Sequence, residues 1–205
     1  MLVIPRGATQ AQGLAFAAEN RDWIAHVLSD LPEAPDWQDG DVIDVLGQPW
    51  RLQVEEGRQR LSAQEGRLLV PVEAAPDRHM RLRRWLMSEA RTHLSGLVRD
   101  AAQRLTALSE ELQLRPINLT RIRLSSAATR WGSCSGRGTV SINWRLVMTP
   151  PDVAAYVAAH EVAHLAHMDH SPAFWSLNQT LHGQPIAPAR QWLASNGGNL
   201  LSMWS

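Results

Sequence analysis

The residue types with the clearest chemical meaning lie between positions 160 and 170, where four of the eight histidines of the chain occur. The pentad from His160 to His164 contains Glu161 and lies within a helical pattern. Residues four apart on an α-helix are separated by about 6 Å along the axis and about 40° around it. His160 and His164 would therefore present two imidazoles to one Zn²⁺ ion. Glu161 would lie beside the ion, where its carboxylate can accept a proton from a water molecule that the metal activates.

A catalytic zinc site usually takes three protein ligands, and His167 and His170 compete for the third position. His167 lies on the same side of the helix as His160, but about 10 Å away along the axis. It cannot share an ion with His160 unless the helix is distorted. His167 is therefore interpreted as a residue on the solvent side of the helix or behind the ligands.

The residues that follow the pentad favour His170 as the third ligand. Ser171 is a good N-cap and Pro172 a good first helical residue, so a new helix should begin there. The chain must then leave the first helix between about Ala166 and His170. A reversal of the chain there can bring His170 close to His160 and His164. The predicted metal ligands are His160, His164 and His170, with Glu161 as the catalytic base.

Helical and strand patterns alternate in the first half of the chain. Apolar residues recur at helical spacing over Thr9–Leu31, a segment closed by Pro32 and Pro35. Short apolar runs over Asp41–Val72, separated by turn residues, predict three or four short antiparallel strands. Asp77–Leu114 predicts one long amphipathic helix, or two with a break near Gly96.

The second half contains the elements that must hold the histidines. Ile117–Val147 predicts strands joined by the turn-rich segment Arg130–Gly138. A helix is expected from Thr149 to about Met168, another from Ser171, and a last short one over Pro185–Asn196.

Composition excludes several classes of protein. Twenty basic and twenty acidic residues give a formal net charge of zero, which argues against phosphate binding as the main task. A single cysteine, Cys134, cannot form an internal disulfide. No apolar stretch approaches the roughly 18 residues that cross a bilayer, and residues 1–13 lack a signal-peptide pattern. We expect no membrane partner and a cytoplasmic location.

Motifs in the second half of the chain resemble those of the YgjP-like metallopeptidases, which are related to the SprT-like and WLM zinc proteases. The likeness is specific from about Arg121 to Leu193 and looser before that range. The matching segments are, in order, Thr129–Ser135, Ile142–Leu146, Tyr156-Val157, His160–Leu165, His170-Ser171 and Phe174-Trp175.

The resemblance implies a zincin-like α+β fold with small antiparallel sheets, a long helix and an active-site helix that carries the H-E-x-x-H pentad. It also implies zinc ligands at His160, His164 and His170, and Glu161 as the catalytic acid and base. Residues 1–75 would hold the N-terminal helix and short strands. Residues 76–205 would form the peptidase domain, with both parts packed as one unit.

Zincins commonly hold a peptide substrate as an extra strand on a sheet edge, and Gly138–Trp144 is the candidate edge. An ordinary core strand is the alternative interpretation of that segment. Asn143, Trp144 and Arg130 are predicted to contact a peptide or protein substrate.

Three further residues are open to a catalytic interpretation. His182, like Arg130, could stabilise an oxyanion, whereas packing is the simpler role for Tyr156. Cys134 could be a nucleophile activated by a histidine, or a small buried residue in a tight loop.

Two other functions compete with a plain zinc peptidase. Asp77–Arg104 holds seven arginines and three acidic residues, and SprT-like proteins act on DNA–protein crosslinks, so a DNA-associated protease is one alternative. The solvated face of an amphipathic helix explains the same arginines. A non-catalytic, zinc-stabilised interaction domain is the other alternative, although structural zinc sites favour four protein ligands.

Overall fold

A computed structural model describes residues 7, 9–29, 36–72, 75–114 and 116–202 of the chain. The chain divides into two compact units, residues 1–33 with residue 205, and residues 34–204. The boundary expected between residues 75 and 76 stays a prediction.

The first unit contains helices α1 (Gln10–Glu19) and α2 (Arg21–Ser29). Thr9 begins α1 with a capping box, in which its hydroxyl accepts from the Gln12 N–H while the Gln12 side chain accepts from the Thr9 N–H. The helical pattern is interrupted at Asn20, whose side-chain amide donates to the Phe16 carbonyl at 2.8 Å. The predicted closing residues, Pro32 and Pro35, lie outside the described residues.

The second unit begins with a four-stranded sheet in the order β1-β2-β4-β3. Two antiparallel pairs, β1–β2 and β3–β4, are joined by a parallel pairing of β2 with β4. The prediction of purely antiparallel strands is therefore wrong here, because the second strands of the two pairs lie side by side and run in the same direction. The strands are β1 (Val42–Val45), β2 (Gln48–Glu55), β3 (Ser62–Gln64) and β4 (Arg67–Pro71).

Helix α3 (Ala75–Leu108) follows the first sheet and runs without a break through Gly96. It ends earlier than the predicted Leu114. One side of α3 is fully buried against α4 and a 3-10 helix at Trp144–Met148, and this contact forms much of the hydrophobic core. The buried stripe consists of Leu82, Leu86, Ala90, Leu94, Val98, Ala101 and Leu105.

A three-stranded sheet follows, formed by β5 (Arg121–Ser125), β6 (Gly132–Cys134) and β7 (Thr139–Asn143) in the order β5-β7-β6. Strand β7 is the central strand, parallel to β5 and antiparallel to β6. The prediction that Gly138–Trp144 forms a sheet edge is wrong, because partners pair with β7 on both sides. The edge near the histidines is β6, within a segment where the sequence indicated only turns.

Three helices complete the second unit: α4 (Pro151–Ala163), α5 (Pro172–His182) and α6 (Ala187–Ser202). Helix α4 ends at Ala163 and not near Met168 as predicted, whereas α6 is longer than the short helix expected. Ser171 caps α5 through a hydrogen bond from the Phe174 N–H, as predicted. None of the helices in the described ranges is both long and apolar enough to cross a bilayer.

Replacing Gly138 with alanine should destabilise the protein by about 2 kcal/mol or more. Gly138 has a φ of +77°, and an added Cβ would lie 1.8 Å from the Asn118 carbonyl oxygen, which is part of the backbone and cannot easily move. The Gly138 carbonyl also accepts from the Thr120 N–H at 2.8 Å, next to the start of the β5–β7 pairing.

Urea unfolding of the variant measures this effect, and Gly136→Ala is the matched control. An added Cβ at Gly136 meets no atom within 4 Å, so its stability should stay within about 0.5 kcal/mol of wild type. Equal stability of the two variants would contradict the expectation.

Candidate metal centre

The C-terminal end of α4 carries the first two histidines. His160 lies in the last turn of the helix, and His164 is its C-cap. Nδ1 of His164 lies 3.0 Å from the His167 carbonyl oxygen, which can only accept, so Nδ1 carries the hydrogen of this imidazole. Nε2 of His164 is consequently the nitrogen with a free lone pair.

The reversal after α4 brings His170 to the other two histidines. Nε2 of His170 lies 3.2 Å from Nε2 of His160, and one ring nitrogen from each of the three histidines lies within 4.8 Å of the others. Two nitrogens bound to one tetrahedral zinc ion are about 3.4 Å apart, given Zn–N bonds of about 2.1 Å. The three imidazoles therefore fit a metal ion and could hold one. His167 contributes its carbonyl to this arrangement and is not part of the group.

Two aromatic side chains of α5 support the three imidazoles. The ring of Phe174 is fully buried and stacks on His164 at 4.5 Å between centroids, with His170 at 4.7 Å and His160 at 4.9 Å. Trp175 lies 5.5 Å from His170 and 5.8 Å from His160. Packing against these rings restricts the rotamers of the histidines.

Burial favours the neutral forms of His160 and His164. It lowers the pKa of His160 to about 4, with smaller contributions from the neighbouring His164 and His170. Burial also lowers the pKa of His164. Both imidazoles are therefore neutral near pH 7, which is the form that binds a metal.

Glu161 lies beside the histidines and is only 6% exposed. Burial raises the pKa of its carboxyl to about 7, and the positive charge of Arg130 acts in the opposite direction. A carboxyl group with this pKa exchanges its proton readily at neutral pH.

Gly132 of β6 packs directly against Glu161. A Cβ at this position would lie 2.4 Å from Oε1 of Glu161, so only glycine leaves room for the carboxyl group. Sequence reasoning missed both Gly132 and Phe174 as parts of the site. Each lies within a motif of the family resemblance, but neither can bind a metal or transfer a proton, so residue type alone gave no signal.

A cleft of about 330 Å³ opens at the histidines. One side of the cleft is formed by residues 132–134 of the edge strand β6. The other residues around it are His160, Glu161, His164, Met168 and His170. His160, Glu161, His164 and His170 therefore line the same cleft as the edge strand β6.

Two of the residues predicted to bind substrate have internal contacts. Asn143 is fully buried, and its side-chain nitrogen donates to the carbonyls of Ala127 at 2.8 Å and Arg130 at 3.0 Å. Trp144 is also fully buried, with the Arg145 guanidinium 5.0 Å from its ring. Arg130 itself is exposed near Glu161. The role of these residues in substrate binding stays a prediction.

His182 and Tyr156 lie behind the histidines. Nε2 of His182 is 2.9 Å from a carboxylate oxygen of Asp152, which joins the end of α5 to the start of α4. Tyr156 packs between His160 and His182, at 6.0 and 5.9 Å between ring centroids, and burial raises its pKa. Both side chains have structural contacts that explain their positions.

Cys134 and the arginines of α3 bear on the alternative functions. Burial raises the pKa of the Cys134 thiol to about 11, the opposite of what an activated nucleophile requires. On α3, Arg78 donates to the Trp37 carbonyl and Arg81 to the Gln59 carbonyl, so part of the basic surface serves internal contacts. Binding to DNA stays a prediction.

Comparison with known families gives a match over most of the chain. A family model described as the YgjP-like metallopeptidase domain matches residues 1–196 of the 205-residue chain. No match was found among curated proteins or among solved structures.

The metal-free Glu161→Gln variant should be more stable than wild type at about pH 8 and equally stable at about pH 4. The pKa of Glu161 is raised from 4.5 to about 7 in the folded protein, so ionisation above pH 4.5 favours the unfolded chain. The resulting cost to folding reaches about 3 kcal/mol above pH 7, and glutamine, which is neutral at every pH, removes it.

Urea unfolding of both metal-free proteins at the two pH values measures this difference. A variant that is no more stable than wild type at about pH 8 would show that Glu161 carries no desolvation cost.

Proposed function

The chain belongs to the YgjP-like metallopeptidase family, and on this basis we propose that it is a zinc-dependent peptidase that uses Glu161 as general base. The observation that carries the proposal is the approach of three imidazole nitrogens to within 4.8 Å of one another, beside a buried carboxyl group. His160, His164 and His170 would hold the metal.

The donor set favours zinc in a catalytic role. Neutral imidazoles suit Zn²⁺, and three protein ligands leave one coordination position open, whereas structural zinc sites usually have four. When bound, zinc supplies Lewis-acid polarisation of a carbonyl oxygen and lowers the pKa of a water molecule to near 7.

Glu161 would transfer the proton. The pKa of its carboxyl group is about 7 in the metal-free protein. The carboxylate form would accept a proton from the attacking water, and the acid form would return the proton to the leaving amine. The close contact with Gly132 restricts the position of the carboxyl group, so the proton is exchanged at one defined place beside the histidines. The exposed Arg130 favours the carboxylate form that begins the reaction.

The edge strand β6 would bind a peptide or protein substrate. Antiparallel strands alternate between residues that pair inward and residues whose peptide groups point outward. The Asn143 N–H donates to the Trp131 carbonyl, and the Ser135 N–H donates to the Thr139 carbonyl. The peptide groups of Gly132 and Cys134 therefore face the outer edge, where an extended peptide could pair with them along the cleft.

The Glu161→Gln variant should keep its zinc and lose peptidase activity by about 100-fold or more, the usual contribution of general acid–base catalysis. Elemental analysis gives the zinc content, and mass spectrometry of a digested peptide mixture gives the turnover. Removal of the metal with a chelator should abolish wild-type cleavage, and re-addition of zinc should restore it. Undiminished cleavage by the variant would remove Glu161 from the mechanism.

His170→Ala should lower the zinc content well below that of wild type, whereas His167→Ala should retain it. His170 contributes a ring nitrogen to the group, but His167 contributes only a backbone carbonyl, which alanine also provides. The zinc content after dialysis distinguishes the two variants. Full retention of zinc by His170→Ala would mean that another residue is the third ligand.

A further inference from the structure

The side chain of Asn178 lies behind the proposed metal centre. Asn178 is in α5 and is fully buried, and its amide nitrogen lies 3.4 Å from Nδ1 of His160. Nδ1 is the ring nitrogen on the far side from Nε2, the atom that faces His170. The amide therefore contacts His160 on the one polar atom that a metal would leave available.

We propose that Asn178 is a positioning residue, whose amide oxygen accepts the hydrogen of His160 Nδ1 and so keeps the Nε2 lone pair directed at the metal. This inference rests on the proposed function. It adds a residue outside the H-E-x-x-H pentad that selects the binding-competent form of a ligand.

The hydrogen-bonding chemistry of the two side chains supports this orientation of the amide. A neutral imidazole has one N–H, and a ligand that binds through Nε2 must carry it on Nδ1, where it needs an acceptor. An amide nitrogen can only donate, so with Nδ2 facing the ring, Asn178 would favour the opposite tautomer.

The amide oxygen of Asn178 gives up no hydrogen bond on turning to the proposed orientation. With Nδ2 toward His160, Oδ1 of Asn178 is buried and has no hydrogen-bond partner in the described part of the chain. A buried amide oxygen in that state is costly. Exchanging the two amide atoms, which have almost the same shape, gives Oδ1 a donor in His160 Nδ1–H and moves Nδ2 to the buried position that Oδ1 leaves. The Tyr156 hydroxyl, which lies near Asn178, can both donate and accept and so suits either orientation of the amide.

At His164, the partner of Nδ1 is a backbone carbonyl, which has only one possible hydrogen-bonding role. Nδ1 of His164 faces the His167 carbonyl, which can only accept. His164 is thereby held as the Nδ1–H tautomer. With Asn178 turned as proposed, His160 and His164 would present equivalent Nε2 atoms.

The tautomer of His160 is the direct test, since it requires neither metal nor activity. Long-range ¹H–¹⁵N NMR of the metal-free protein at about pH 7.5 should show His160 with its hydrogen on Nδ1. In Asn178→Leu, which keeps a similar volume but has no acceptor, the Nδ1–H population should fall. Asn178→Asp, which offers only acceptor oxygens, should restore it.

Zinc affinity, measured by competition with a chromogenic chelator, is the second readout. Asn178→Leu should bind zinc about 10- to 100-fold more weakly than wild type, as expected when the partner of a ligating histidine is lost. Asn178→Asp should stay within about threefold of wild type. Gln179→Ala, which changes an exposed side chain one residue along α5, is the control and should bind as wild type does.

The outcomes separate this inference from the proposed function. An Nε2–H tautomer in the wild-type protein would overturn the role of Asn178, as would unchanged zinc affinity in Asn178→Leu. Loss of affinity in Asn178→Asp equal to that in Asn178→Leu would assign the function to the amide nitrogen and also overturn it. Failure of the wild-type protein to bind zinc would instead refute the proposed function, while the tautomer would still decide whether Asn178 accepts from His160.

Discussion

The site depends on burial that favours the uncharged forms of His160 and Glu161. Burial lowers the pKa of His160 to about 4 and raises that of Glu161 to about 7. Between about pH 4.5 and 6.5, the two side chains would both be charged in the unfolded chain, whereas both are mostly neutral in the folded protein. Folding thus removes the favourable hydration of the charged forms of His160 and Glu161. The hydrophobic core must compensate for the free energy that is lost. Neutral imidazoles and a proton-exchanging carboxyl group are the forms that a metal-dependent hydrolase requires.

The rest of the second unit keeps this pocket rigid. The buried stripe of α3 packs against α4, and α4 in turn contacts α5 and strand β6. The histidines are therefore held by a helix end, a reversal and an aromatic ring that belong to one continuous core. Gly132 has a complementary role, because the absence of its side chain lets the sheet approach the carboxyl group of Glu161. The positions of the histidines and of Glu161 thus depend on the packing of α3, α4, α5 and β6 against one another.

The sequence was most informative where the relevant physics is local. Helical periodicity paired His160 with His164, and the N-cap at Ser171 indicated the reversal that returns His170. The family resemblance to YgjP-like metallopeptidases was confirmed. Pairing between distant segments was not predictable, since a run such as Gly132–Cys134 has little strand character and becomes an edge only by pairing with β7. Parallel and antiparallel partners also produce similar local patterns, so the mixed sheets were missed. The early end of α4 was also missed: after Ala163 the chain turns, and Nδ1 of His164 contacts the His167 carbonyl.

The short length of β6 has a consequence for the behaviour of the protein in solution. An exposed strand edge is a template on which other chains can assemble, and long flat edges promote aggregation. Strand β6 has only three residues, one of them glycine, and it presents just two outward peptide groups. So few main-chain hydrogen bonds give weak and rapidly reversible association, because each contributes only about 1 kcal/mol. The β6 edge can thus stay open to a short extended peptide while offering little template for the assembly of further copies through this strand.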